Sequence, residues 1–361
     1  MVHSKSLDLQ GVERVLLLKP SSLGDVIHAL PTAAAIKERY PEKQVGWLVE
    51  EETAPILRGN PFLNEVLVLP RKRWERELII PHRLFSALRE AGRFLQGLRR
   101  QRYELAIDLQ GLLKSGVLTL ASGARLRLGL EGGREGSHLF LTHRVPIGDG
   151  IEHAVDRYLR VAAYLGAEVE KREFPIHWGE EEDARAEAFL AGGPGPWVVI
   201  HASARWGTKL WEASGFACLG DALVAKMGVS VILTGDSNDL PLVEGIAERM
   251  KHRPLVVSGR TNLQELAALL AKVELMITVD SGPMHMAAAL GIPVLALFGP
   301  TDPRRTGPYG EGHEVIRKGL ECSPCLRRRC PIPDERACMR SIKVEEVLEK
   351  ATEMLGRGRR H

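Results

Sequence analysis

The chain has 361 residues, 44% hydrophobic and 26% charged, which suits two soluble domains of ordinary size better than one large core. Its 49 Lys and Arg against 46 Asp and Glu leave a net charge of +3, so there is no global case for nucleic-acid binding. Near the N-terminus only Val15 to Leu18 are consecutively apolar before Lys19, too few for a signal-peptide core or a membrane span. The chain is therefore expected to be cytoplasmic, its five cysteines serving as thiols or metal ligands rather than disulfides.

In chain order, β-rich runs alternate with helical stretches: "RVLLLK", "DVIHALPTAAAIKERY", "QVGWLV", "NEVLVLP", "LFSALREAGRFLQGLRRQ" and "YELAIDLQ". Such alternation predicts βαβ units and a parallel sheet covered by helices. "FPIHW", the acidic helix "EEEDARAEAFLA" and "GGPGPW" interrupt the pattern, so residues 176–195 are expected to be a linker region between domains spanning 1–175 and 196–361. The grammar then restarts with "WVVIHAS", "FACLGDALVAKM", "VSVILTGD", "LPLVEGIAERM", "LQELAALLAKV", "ELMITVD", "PMHMAAALG" and "IPVLALFGP". "KVEEVLEKATEMLGRGRR" closes the chain as a helix with a frayed basic end. The expected fold class is α/β, with two doubly wound domains whose ligand crevice lies at the carboxyl ends of the strands and between the domains.

Four segments carry candidate chemistry. In "SSLGDVIHALP" one carboxylate, Asp25, stands where a strand gives way to a helix; it serves either as a favourable helix-start residue or as a base. His28, one turn on, reads as a packing residue. In "MITVDSGPMHMAAALG" a strand runs into Asp280 and a Ser281-Gly282 turn, and a helix starts near Pro283. The N–H groups of Ser281 to His285, Met284 included, form a phosphate cradle, the plain alternative being that Asp280 and Ser281 only cap the helix. "IHASARWGTKLW" offers Ser203, Arg205, Thr208 and Lys209, a cationic loop able to neutralise a diphosphate. "LTGDSNDLPL" supplies Asp236 and Asp239 as ribose-binding carboxylates or as turn residues. Together these loops point to a nucleotide-diphosphate site in the second domain.

The first domain has a basic patch: "RKRWER", Arg71 to Arg76, expected on a loop after a strand, with Lys114 and "RLRLGLEGGREG" reaching Arg134. It is suited to an anionic acceptor, although such a run is commonly a solvated face. Cys322-x2-Cys325-x4-Cys330-x7-Cys338 is a candidate metal-binding loop, though not with zinc-ribbon spacing, and Cys218 is expected in the core. The sequence lacks a P-loop, a G-x-G-x-x-G after the first strand, a G-x-S-x-G elbow, an H-E-x-x-H and a D-x-D cluster, which weakens kinase, dehydrogenase, hydrolase and metal-assisted readings.

"LLLKPSSLGDVIHALP", "VLPRKRWER", "AIDLQGLLKSG", "VIHASARWGTKLW" and "VDSGPMHMAAALGIPVLALFGPTDP" resemble the ADP-heptose:lipopolysaccharide heptosyltransferases, glycosyltransferase family nine, over nearly the whole chain. "WLVEE", "RKRW" and "GGREG" look closest to the heptosyltransferase I branch, which adds the first heptose to the Kdo region of lipid A; "CSPCLRRRCP" looks like the heptosyltransferase II branch. The resemblance implies a GT-B fold of two Rossmann-like domains facing a central cleft, and inverting transfer from ADP-heptose with no metal or other cofactor required. It implies Asp25 as the base and Lys209, with the N–H groups around Ser281 and Gly282, as stabiliser of the leaving ADP. Ser203 and Lys209 would contact donor phosphates, joined by Arg205 and Thr208. Asp239 would meet the ribose, and Asp280, Pro283, Met284 and His285 would line the donor site. Ser22, Gly24, Lys72, Arg73, Arg76, Gln110, Lys114 and Arg134 would bind a Kdo-lipid A type acceptor. The implied setting is the cytoplasm, with peripheral contact at the inner leaflet of the inner membrane and no nucleic-acid partner. The alternatives left open are a heptosyltransferase II-like enzyme with another acceptor, and a non-catalytic nucleotide-sugar or metal-binding protein.

Overall fold

The computed structural model describes residue 7, residues 9–333 and residues 335–358; the basic end at Arg359 and Arg360 lies outside them. The chain divides into two compact units, one up to Pro175 and one from Ile176.

In the first unit the strands are β1 (Arg14–Leu18), β2 (Gln44–Glu50), β3 (Glu65–Leu69), β4 (Leu105–Asp108), β5 (Leu126–Leu130) and β6 (His143–Val145). Helices α1 (Leu23–Arg39), α2 (Arg71–Leu78), α3 (Leu84–Arg100), α4 (Leu113–Ala121) and α5 (Ala154–Tyr164) accompany them. All pairings are parallel, in the order β3-β2-β1-β4-β5-β6. The central strands are continuous apolar runs because both faces of a parallel sheet are covered. Val15 to Leu18 and Leu105 to Ile107 are wholly buried.

The second unit repeats this plan with β7 (Trp197–His201), β8 (Ser230–Thr234), β9 (Leu255–Val256), β10 (Leu275–Val279), β11 (Val294–Phe298) and β12 (Glu314–Arg317). The order β9-β8-β7-β10-β11-β12 is the first sheet's order over again. Its helices are α6 (Glu180–Leu190), α7 (Ala213–Met227), α8 (Leu240–Ala247), α9 (Leu263–Leu270), α10 (Gly282–Ala289), α11 (Pro303–Thr306), α12 (Ala337–Arg340) and α13 (Val344–Gly358). In both sheets the winding reverses at the middle, between β1 and β4 and between β7 and β10. Loops leaving the carboxyl ends of those strands are where a doubly wound sheet holds a ligand.

Several details depart from the sequence reading. "RKRWER" is a helix, α2, rather than a loop. It is polar nearly all round, so no apolar stripe announced it, but Arg71 pairs with Glu75 one turn on and Trp74 meets Phe94 of α3 edge-to-face at 5.6 Å. "LRLGL", which the sequence reading took only as part of the basic patch, is strand β5. Residues 176–195 hold the expected acidic helix, α6, and cluster with the second unit, where Lys272 holds Asp183 at 2.9 Å and Gln264 donates to the His177 carbonyl at 3.0 Å. Cys218 is exposed on α7 rather than in the core. Among the described residues no helix is long and apolar enough to cross a membrane.

The core of the second unit is anchored by Phe216, fully buried with its ring edge-to-face on Trp211 at 4.9 Å. Phe216→Ala is expected to cost about 3–5 kcal/mol, through lost transfer energy and the cavity left behind, read from urea unfolding.

Candidate functional site

In the first unit the switch point is occupied by a lysine and a carboxylate. Lys19 directly follows β1 with 2% of its side chain exposed, and its ammonium must therefore find partners inside. It donates to the Leu109 carbonyl beyond β4 at 3.1 Å and to the Tyr158 hydroxyl of α5 at 2.7 Å, and lies 3.4 Å from Asp25 Oδ1. Asp25, in the first turn of α1, accepts from Tyr158 on Oδ1 at 3.2 Å and from the Ser22 N–H and hydroxyl on Oδ2 at 3.1 and 2.9 Å. Burial alone would raise its pKa, but the Lys19 ammonium, the Ser22 donors and Tyr158 outweigh it and hold the carboxyl below its ordinary value. Burial also opposes the charge on Lys19, yet Asp25 and Tyr158 raise its pKa above the usual lysine value. The side chain of Asp25 keeps 38% exposure, so the site is an ionised carboxylate with one face open to solvent. Asp25 is thus both a helix-start residue and a fixed anion.

The other first-unit candidates divide. Gln110 Oε1 accepts from the Ser21 N–H at 3.4 Å, so the loops after β1 and β4 meet. Gly111 sits there at φ +65°, with Gly133 backbone 3.5 Å from where a Cβ would stand, and the Arg134 N–H donates to its carbonyl at 2.8 Å. Glu50, buried at the end of β2, gathers Arg71 at 2.6 Å and Lys114 at 3.3 Å, and its own N–H bonds the Pro20 carbonyl beside the Asp25 loop. Lys114 therefore adjoins the site. Lys72 pairs instead with Glu52 at 3.0 Å, Arg73 with Glu90 of α3, and Arg76 donates to the Lys72 carbonyl. These three form the exposed surface of α2, and Arg134 is likewise exposed. Ser22 spends its N–H and hydroxyl on Asp25, and Gly24 is buried in the first turn of α1. His28 is buried with its ring edge-to-face on His153 at 5.1 Å.

At the second unit's switch point Lys209 lies 2.7 Å from Asp280 Oδ2, and Thr301 donates to the same oxygen at 2.6 Å. The pair joins the loop after β7 to the loop after β10. An ammonium has three donors, so one bond to Asp280 fixes its direction and leaves the others for an anion. Ser281 caps α10, its hydroxyl accepting the Met284 N–H at 3.4 Å. This makes the expected cradle thinner than its sequence suggested: Pro283 has no N–H, that of Met284 is engaged, and the Met284 side chain is wholly within the core. His285 is also buried, whereas Gly282 and Pro283 are partly exposed at the helix start.

A relay runs beside this pair. Ser203 donates to Asp239 Oδ2 at 2.7 Å, and its hydroxyl faces His201 Nε2 at 3.2 Å, while His201 Nδ1 faces the Thr234 hydroxyl at 3.0 Å. These bonds assign an Nε2–H tautomer, with Thr234 donating to His201, His201 to Ser203 and Ser203 to Asp239. Asp239 Oδ2 also closes its own turn on the Asp236 N–H at 2.9 Å, and Asp236 caps the same turn. Arg205 is exposed on this loop.

The cysteine loop supports the cationic loop from below. Thr208 donates to the Arg327 carbonyl at 2.9 Å, so its hydroxyl is a tether rather than a ligand in this structure. Arg328 stacks over Trp206 at 5.4 Å, Lys209 sits over the same ring at 4.8 Å, and Arg336 donates to the Leu210 carbonyl at 3.2 Å. Cys322, Cys325, Cys330 and Cys338 line one small pocket with Thr208 and Arg336, and all five cysteines are free thiols. Burial, and then the neighbouring thiols, push the Cys338 thiol up. Among the described residues no group of three or more His, Cys, Asp or Glu side chains is arranged to hold a metal ion, so the metal-binding expectation for this loop has no geometric support.

Sequence reasoning missed Lys19, Tyr158, His201, Glu50 and Thr301. Lys19 and His201 did carry a signal, a polar residue closing a fully apolar strand. Tyr158 and Thr301 carried none, since each reaches the site from a distant element.

The family model for glycosyltransferase family 9 (heptosyltransferase) matches residues 91–335. Lipopolysaccharide heptosyltransferase 1 of Pseudomonas aeruginosa is 33% identical over 350 residues, covering 93% of each chain. Escherichia coli heptosyltransferase WaaC, solved with ADP and with ADP-2-deoxy-2-fluoro heptose, is 26% identical with a TM-score of 0.71, covering 94% of this chain and 99% of its own. A glycosyl transferase family 9 structure from Veillonella parvula has a TM-score of 0.83 at 23% identity, covering 98% of this chain and 100% of its own.

Burial lowers the His201 pKa from 6.5 to about 4, keeping the imidazole neutral. The folded state then binds fewer protons than the unfolded state between those values. The associated stability is fully present above pH 6.5 and is lost as pH falls toward 4, by roughly 3 kcal/mol over the window. Urea unfolding at a series of pH values should show this loss, and His201→Gln, which cannot take up a proton, should flatten the curve across the same window.

Proposed function

The chain belongs to glycosyltransferase family 9, and from that premise we propose that it moves heptose from ADP-L-glycero-D-manno-heptose to the Kdo region of lipid A, the first heptose of the lipopolysaccharide inner core. The observation that carries the proposal is that each unit's switch point holds one of two complementary groups. One unit holds an ionised, partly exposed carboxylate, Asp25; the other holds a directed cation, Lys209, beside the start of a helix.

The acceptor belongs to the first unit and the donor to the second. Ser203, Asp239 and Arg205 surround the nucleotide end, and the diphosphate lies against Lys209 and the first turn of α10, where the helix dipole favours anions. Lys114, Arg71 and Arg134 supply positive charge for the acceptor's carboxylates and phosphates, with Lys72, Arg73 and Arg76 further out on α2. In the reaction the acceptor hydroxyl oxygen attacks the anomeric carbon as the bond from that carbon to the ADP oxygen breaks, inverting the centre. The hydroxyl proton passes to Asp25, and the electron pair of the broken bond stays on the diphosphate, where Lys209 stabilises it.

The depressed pKa of Asp25 has a kinetic meaning. A carboxylate held ionised by Lys19 is a weak base, so it takes the proton late, once bond formation has made the hydroxyl acidic. Its value lies in being charged and fixed before the acceptor arrives. The diphosphate is met by Lys209, the exposed Arg205 and the start of α10, so the proposed transfer needs no divalent metal. Cytoplasmic action on a membrane-anchored acceptor completes the reading.

The experiment is turnover of ADP-heptose, with EDTA present, on Kdo-bearing lipid A against an already heptosylated core. Transfer to the first alone supports the heptosyltransferase I reading. Transfer only to the second moves the chain to the branch its cysteine loop resembles. Asp25→Asn should lower kcat by about 10²–10⁴-fold while ADP affinity stays within a few-fold; lost ADP affinity with retained turnover would contradict the role assigned to Asp25.

A further inference from the structure

Between α2 and α3 the first unit exposes apolar side chains that its core does not use. Ile79 is 80% exposed and Phe85 87%, with Leu78, Leu84 and Leu88 also exposed around them. On α3 the packed stripe is Ala87, Phe94 and Leu98; Leu84, Phe85 and Leu88 form a second stripe on its flank, facing solvent. Arg89 and Arg93 follow on the next side of the helix, and His82 and Arg83 lie between the two helices, all exposed. Residues 71–100 hold nine arginines and lysines against three glutamates.

An apolar cluster ringed by excess positive charge is poorly suited to a second copy of itself, because the like charges would be brought together. It fits an anionic bilayer surface, where Ile79, Phe85 and Leu88 enter the acyl boundary and the arginines reach the lipid phosphates. We propose that the corner from Leu78 to Arg93 is a docking surface for the anionic leaflet of a lipid bilayer. The purpose given to it, bringing α2 and its basic side chains to a lipid-anchored acceptor, rests on the functional reading above; the binding itself does not.

The test is co-sedimentation of the full chain with vesicles containing no acceptor, either phosphatidylcholine alone or phosphatidylcholine mixed with phosphatidylglycerol. The wild type should bind the phosphatidylglycerol vesicles, less so as salt rises, and bind phosphatidylcholine weakly. Ile79→Asp with Phe85→Asp should weaken binding about ten-fold or more, and Arg89→Ala with Arg93→Ala should reduce its salt dependence. Both pairs are exposed, so thermal melts should match the wild type and turnover on a water-soluble acceptor fragment should be unchanged. Equal vesicle binding by wild type and the aspartate variant would overturn the proposal. So would a wild-type dimer on gel filtration that the aspartate variant dissociates, which would assign the patch to a second copy. Vesicle binding without any heptose transfer would sink the functional reading and leave the surface standing.

Discussion

A lysine ammonium closed inside a sheet must be matched by charge and hydrogen bonds, and at the end of β1 that requirement organises the first unit. Lys19 is satisfied by a carbonyl after β4, a hydroxyl from α5 and a carboxylate from α1. The β1–α1 turn, the loop after β4 and the distant helix α5 thereby meet at one ammonium. The pair is costly to bury and would be weak evidence for stability alone. What it secures is a carboxylate in one orientation and one charge state, with a face left open.

The second unit uses the same device across its own switch point. Lys209 and Asp280 tie the loop after β7 to the loop after β10, Thr301 adds a bond from the loop after β11, and the cysteine loop braces the segment from Trp206 to Leu210. A cation held this way has little orientational freedom to lose when a diphosphate arrives, which is the advantage of preorganisation. The four thiols then have a structural reading, since their loop touches the donor candidates through backbone carbonyls and arginines. The neutral His201 imidazole keeps Ser203 and Asp239 in place without adding a charge of its own.

The fold was legible because buried parallel strands announce themselves. "RVLLL", "WVVIH" and "VLALF" can hardly be anything else. Among the elements the sequence reading did not mark, β5 alternates charged and apolar residues and α2 is polar nearly all round, so that packing rather than pattern decides there. At the site Asp25, Lys209, Asp280 and Asp239 were visible as polar residues at strand ends. Their partners were less so, because Tyr158 and Thr301 reach the site from elements distant in sequence. Backbone demands were also hidden: Thr208 and Met284 looked like ligands, yet Thr208 tethers a loop and the Met284 N–H completes a helix cap. Hydrogen bonding within the protein claims some polar groups before any ligand can.

The central claim is that Lys19 and its neighbours keep Asp25 ionised and fixed before substrate binds. Carbon-detected NMR titration of the Asp25 carboxyl in the free protein tests it directly. The account predicts titration below the ordinary aspartate value of 3.8, with a rise in Lys19→Met and a smaller one in Tyr158→Phe. A wild-type carboxyl titrating at or above that value, unmoved by either substitution, would contradict it.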